Sequence, residues 1–192
     1  MRNLLRSLRW LVASVVMLGL IYPLLITGIG QWVFPFQANG SMVQYQGQVV
    51  GSRLIAQQVT LAGLFYPRPS AVNYDANGSG GSNLGPTNPA LIQEVKKNLE
   101  QVLHQNPGVT VAQVPTSMVE SSGSGLDPDI TVHDALLQVP RVAQATGLSV
   151  DTVQNLVRQN TRGRFLGLWG VGRVNVLDLN LAVLKAKTET AP

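Results

Sequence analysis

Two glycine-rich runs are the first places where this chain could do chemistry. Asn77-Gly78-Ser79-Gly80-Gly81-Ser82-Asn83 offers backbone amides able to cradle a phosphate, and Ser121-Ser122-Gly123-Ser124-Gly125 repeats the composition. A nucleotide loop of the GxxxxGK[ST] type needs a lysine to reach the β and γ phosphates, and the 192 residues contain no Gly-Lys pair. The second run fits neither GxSxG nor a dinucleotide fingerprint, so both read as loop punctuation. No cysteine is present, which removes thiol nucleophiles, disulfides and thiolate zinc sites. His104 and His133 are the only imidazoles. A Ser/His/Asp hydrolase could recruit either of them, but no nucleophile elbow marks a serine.

Arg158, Arg162, Arg164 and Arg173 form a sequence-local basic cluster, suited to an acidic partner surface or to anionic lipid, and equally to a solvated patch at a helix C-terminus. Just before it, Ala143 to Val153 carries the Ala-xxx-Gly-x-Ser-xx-Thr-Val spacing of a helix-turn-helix. The would-be recognition helix has Asp151 near its start and no basic residue before Arg158, a poor match to a polyanion. Nucleic acid is therefore not an expected partner. A membrane-tethered helix-turn-helix regulator and a membrane-anchored serine hydrolase stay as alternatives.

These residues must be positioned by elements, and the chain's charge and hydropathy patterning define the first of them. The net charge is +4, yet Arg2, Arg6 and Arg9 account for three of it, leaving 11 basic against 10 acidic residues. From Trp10 to Val33 runs an uncharged stretch of 24 residues, and no charge returns before Arg53. At about 1.5 Å per residue it reaches about 36 Å as a helix, enough for a hydrocarbon core of about 30 Å. Three arginines before the span and none soon after it predict an N-terminus in the cytoplasm and the bulk of the chain outside. The stretch is too long for a signal-peptide core and lacks an A-x-A-like cleavage site, so a retained anchor is expected. Pro23 should kink it, and Gln31 could hydrogen-bond a neighbouring helix. The organisation expected is a basic tip over residues 1–9, a transmembrane helix over 10–34 and an extracytoplasmic domain over 35–192.

Within that domain, Pro67 to Pro89 holds 15 Gly, Pro, Ser or Asn among 23 residues and cannot be regular helix. It reads as a partner-contact loop, with Arg68 supplying a bidentate bond and proline limiting the entropy of ordering. Asn88 caps a helix with Pro89 at its first position, running to Asn106-Pro107-Gly108. Thr131 with Asp134 caps a second helix that Pro140 should kink or divide, Gly147 ends it, and Ser149 starts a third. Apolar alternation marks strands weakly over Gln48 to Ile55 and more clearly over Val174 to Val183, with a slip at Val176-Leu177 that suits a bulge. The fold class is thus a single N-terminal transmembrane helix plus a mixed α+β extracytoplasmic domain.

Five segments together resemble one family, the C subunit (KdpC) of the bacterial Kdp potassium-transporting P-type ATPase. They are Gly51-Ser-Arg-Leu-Ile-Ala-Gln57; Arg68-Pro-Ser-Ala71 with Ser79-Gly-Gly-Ser-Asn-Leu-Gly-Pro-Thr-Asn-Pro89; Ser122-Gly-Ser-Gly-Leu-Asp-Pro128; Gln138-Val-Pro-Arg-Val-Ala143; and Val174-Asn-Val-Leu-Asp-Leu-Asn180. Glu120-Ser121, Asp129 and Thr146 depart from the family's pattern. The resemblance implies a non-catalytic accessory subunit, partnered by a channel-like potassium-binding subunit, an ATP-hydrolysing P-type subunit and a small stabilising subunit, with membrane lipid around it. It implies ATP for the complex, and a role as a catalytic chaperone that raises the ATP affinity of the hydrolysing subunit. No cofactor or metal is expected on this chain. The partner-contact candidates are Gln31, Arg68, Ser79, Gly80, Gly81, Ser82, Asn83, Arg158, Arg162 and Arg164.

Overall fold

The structure, a computed structural model, describes residues 2–190. It divides into two compact units, one up to Met42 and one from Val43 onward. The first is built on a single helix of 32 residues, Arg2–Val33. Helix α1 (Arg2–Val16) passes through a π-helical turn, Met17–Ile21, into α2 (Tyr22–Val33). The π turn sits where Pro23 demands it. A proline ring collides with the carbonyl four residues back, here Gly19, and widening that turn relieves the collision. Tyr22 N–H accordingly bonds the carbonyl of Met17, five residues earlier. The disturbance expected from Pro23 therefore takes the form of a π-bulge. No residue of α1 or α2 is buried, and by length and composition the helix is a candidate membrane span. A short helix, α3 (Pro35–Ala38), follows.

The second unit starts with a hairpin of β1 (Met42–Tyr45) and β2 (Gln48–Ser52), turning through Gln46 at φ 50° and Gly47 at φ 79°, the pair of positive angles that tight hairpins use. From Arg53 to Asn88 there is neither helix nor strand. Helix α4 (Pro89–Gln105) begins as its sequence requires, the Asn88 side chain accepting from Ala90 N–H at 2.9 Å. Strand β3 (Asp129–Thr131) leads into α5 (Val132–Thr146), capped by reciprocal bonds between Thr131 and Asp134. Gly147, left-handed at φ 78°, ends α5, and Ser149 caps α6 (Val150–Gln159). Pro140 does not divide α5. Its ring faces solvent, so only one backbone bond, to Leu136, is forgone.

Strands β4 (Thr161–Arg162) and β5 (Arg173–Asn175) complete a three-stranded antiparallel sheet in the order β3-β5-β4, with Ile130 opposite Val174. Here the structure corrects the sequence reading: Val174 to Val183 is not one bulged strand. β5 stops at Asn175 and α7 (Val176–Thr190) begins at Val176. The phase slip is the change from a period of two to a period of 3.6, and Asn175 is the cap, its Oδ1 accepting from Asp178 N–H at 3.1 Å. Val176, Leu179 and Val183 then bury at helical spacing beside Val174, Val139, Val142, Val153, Val157 and Phe65, which form one core between the sheet and α5, α6 and α7.

Candidate functional site

The polar residues of the resemblance motifs converge on the irregular chain that precedes the Gly/Pro-rich loop. Arg141 is 8% exposed and reaches across to it. Its Nη1 donates to the carbonyls of Ala62 and of Leu64, the latter at 2.9 Å, and its Nη2 to Gln138 Oε1 at 2.6 Å. Its Nε donates to Asn106 Oδ1 at 3.3 Å, and the guanidinium stacks 4.1 Å from the centre of the Tyr66 ring. Gln138, one turn earlier on the same helix face, accepts from Tyr66 N–H at 2.8 Å and donates to Tyr66 O at 3.2 Å. Asn180 does the same for Phe65, with bonds of 2.7 and 3.0 Å. Asn175 donates to Arg53 O at 3.0 Å, and Asp178 pairs with the Arg53 side chain at 2.7 Å. A backbone without strands of its own must find partners for its buried amides and carbonyls, and these side chains supply them. Burial lowers the Arg141 pKa, with the Tyr66 phenol opposing that shift.

So clamped, the chain delivers Arg68 to Asn83 against the second glycine run. Gly80 N–H and Ser79 Oγ both donate to Ser124 O, at 2.8 and 3.0 Å, and Ser122 N–H donates to Pro69 O at 3.1 Å. A Cβ on Gly81 would stand 3.0 Å from Gly123 O. One on Gly125, at φ +66°, would stand 2.6 Å from Val72 Cγ2 and 2.7 Å from Gly80 O. Two runs that read as separate punctuation are therefore the two sides of one docking, in which glycine permits the close approach. Ser82 lies half-buried beside them, and Asn83, at φ 54°, donates to Gly81 O.

Arg68 has its Nη1 3.4 Å from Asp127 Oδ2, and its buried Nε has no hydrogen-bond partner among the described residues. It lines a cleft of about 300 Å³ together with Tyr66, Tyr74, Glu94, Lys97 and Asp134. Tyr74 donates its hydroxyl to Arg68 O at 2.9 Å, and burial raises its pKa above the ordinary 10.0. Asp134 is fully buried, holding Ser117 Oγ at 2.7 Å and Thr131 N–H at 3.0 Å, while His133 points to solvent. Asp134 is thus engaged as a capping residue, as its spacing from Thr131 predicts.

The remaining candidates lie apart from this docking. Gln31 exchanges side-chain hydrogen bonds with Asn39, at 3.3 and 3.0 Å, inside its own unit. Arg158 lies exposed on α6, Arg162 on β4 pairs with Asp178 at 3.3 Å, and Arg164 is exposed in the turn between β4 and β5. Asp129 pairs with Arg173 at 2.9 Å. The helix-turn-helix spacing does produce a helix pair around Gly147, whose second member exposes Asp151, Asn155, Arg158 and Gln159. Arg141, Gln138, Asn175 and Asn180 are the residues that the site reading omitted. The signal available was the spacing of Gln138 and Arg141, three apart around Pro140, which puts both on one face.

One candidate membrane span and a separate loop-rich α+β domain, whose buried polar groups hold its own backbone, define a class of protein that joins a single apolar N-terminal helix to a domain of ordered loops. The family model described as "KdpC: K+-transporting ATPase, c chain" matches residues 4–185, and the chain belongs to that family. It is 49% identical over 180 residues to a protein of Caldanaerobacter subterraneus subsp. tengcongensis, covering 94% of this chain and 93% of the relative. It is 48% identical over 183 residues to one of Acidobacterium capsulatum, covering 94% and 97%. A relative from Mycobacterium tuberculosis is 47% identical over 184 residues, covering 95% and 97%. All three relatives carry the name potassium-transporting ATPase KdpC subunit.

Proposed function

We propose that this chain is a non-catalytic accessory subunit of a high-affinity, ATP-driven potassium uptake complex in the bacterial cytoplasmic membrane. The observation that carries this reading is the family match over residues 4–185, which takes in nearly all of the candidate span and of the α+β domain. The N-terminus lies inside and the domain outside, a topology supported by Arg2, Arg6 and Arg9 ahead of an uncharged span. The partners are a channel-like potassium-binding subunit, an ATP-hydrolysing P-type subunit and a small stabilising subunit.

The chain acts on ATP hydrolysis and potassium import through assembly and coupling, raising the ATP affinity of the hydrolysing subunit without touching the nucleotide. Gly80 N–H, one of the amides of the first glycine run, is already donated to Ser124 O, which supports an indirect role. The docked glycine runs and Arg68 form the surface offered to a partner, and the Gly81–Gly123 and Gly125–Val72 approaches give it a fixed shape. Tagging the full-length chain, purifying it in mild detergent and identifying what co-elutes tests the reading. The expected result is recovery of potassium-transport subunits, with loss of potassium-limited growth on deletion. Monodisperse recovery of this chain alone, with growth intact, overturns it.

A further inference from the structure

The turn between β4 and β5 is an apolar finger. Arg162 faces Arg173 across the ladder, so residues 163–172 form its apex. After Arg164 every residue up to Gly172 is apolar or glycine: Phe165, Leu166, Gly167, Leu168, Trp169, Gly170, Val171, Gly172. Phe165, Leu166, Leu168, Trp169 and Val171 are 67, 73, 70, 61 and 64% exposed. The apex is nevertheless well bonded. Phe165 N–H donates to Trp169 O at 2.8 Å, Trp169 N–H returns to Phe165 O at 3.1 Å, and the two rings lie 6.4 Å apart. Five large apolar side chains held outward on a hydrogen-bonded turn, with no core beneath them, mark an interaction site.

We infer that this finger inserts into the interfacial layer of a bilayer and that Arg164 binds anionic phosphodiester headgroups there. Three observations favour lipid as the occupant. On the proposed function the chain's own helix Arg2–Val33, long and apolar enough to span a membrane and with no buried residue, tethers the second unit to it, so a bilayer is at high effective concentration. The charge fits: no acidic residue stands between Asp151 and Asp178 in sequence, and Arg162, Arg164 and Arg173 ring the base of the apex. Arg162 and Arg173 are held by Asp178 and Asp129, whereas Arg164 has no ion-pair partner among the described residues. Finally, the amphipathic indole of Trp169 suits the headgroup boundary, and the self-bonded backbone between Phe165 and Trp169 leaves fewer open amides where the apolar side chains of the apex reach the hydrocarbon below it.

The test uses the full chain in vesicles. Its tryptophans are Trp10, Trp32 and Trp169, so Trp10→Phe with Trp32→Phe leaves Trp169 as the only indole. In phosphatidylcholine vesicles containing phosphatidylglycerol, Trp169 emission should be blue-shifted, shielded from acrylamide and quenched by brominated acyl chains. Arg164→Gln should weaken the insertion equilibrium about fivefold in anionic vesicles and leave it unchanged in neutral ones. Leu166→Ser with Leu168→Ser should abolish bromine quenching while circular dichroism and melting stay at the parent values, since neither side chain belongs to the core. Water-like emission with full acrylamide access in vesicles overturns the inference. So does emission that turns blue only when other subunits co-purify, which would assign the finger to a protein interface.

Discussion

At the residue scale, one buried guanidinium connects the largest number of separate segments. Arg141 satisfies two carbonyls, Gln138 and Asn106 at once, a division of labour that a planar fork with five donors can perform and a point charge cannot. Arg141→Met should lower the unfolding free energy by about 3 kcal/mol, because the carbonyls of Ala62 and Leu64 lose their donors in a buried setting, and Arg141→Lys nearly as much, because one buried ammonium cannot reach both carbonyls, Gln138 and Asn106 together. Urea titration of the detergent-solubilised chain measures both, and a loss below about 1 kcal/mol for Arg141→Met would show that water replaces the guanidinium freely. Sequence periodicity gave little warning of this arrangement. An amphipathic pattern counts apolar positions and assigns arginine to solvent, whereas Arg141 is buried because carbonyls 77 and 79 residues away come to meet it. Its partner Gln138 was visible only as part of a motif, without a role.

At the scale of elements, what was legible was local. Asn88, Thr131 with Asp134, Gly147 and Ser149 each mark a helix end through a bond or a backbone angle formed within a few residues, and all four do so in the structure. The exchange of strand for helix at Val176 was hidden because alternation and helical spacing coincide over short runs, and the Asn175 cap was the overlooked signal. The docking of the glycine runs was hidden because nothing in one run specifies the other. Two substitutions separate the reasons for glycine. Gly147→Ala meets nothing within 4 Å and incurs only the left-handed backbone cost, so about 1 kcal/mol should be lost. Gly125→Ala adds collisions with Val72 and Gly80 O to the same cost, so about 3 kcal/mol should be lost and co-purification of partners should fall. Equal melting temperatures for the two variants would show that the glycine runs are not packed as described.

At the scale of the whole molecule, the span and the domain are separate compact units, and the side of the membrane on which the second unit lies decides which partners can reach it. Because the chain has no cysteine, Asn155→Cys on the exposed face of α6 creates its only thiol. Ser121, in the glycine docking, is half-buried and less suitable. In intact cells Asn155→Cys should react with an impermeant maleimide; labelling only after lysis would place the domain inside and reopen the regulator reading. The clamp also has a consequence for biogenesis. Phe65 is tied to Asn180 across 115 residues and Arg53 to Asp178 across 125. Residues 53–66 therefore emerge from the ribosome long before their partners exist, and the domain cannot close until α7 has been synthesised. Truncation before Asn180 leaves the first half of the domain without the side chains that hold its backbone, so that half stays open on the nascent chain until translation is almost complete.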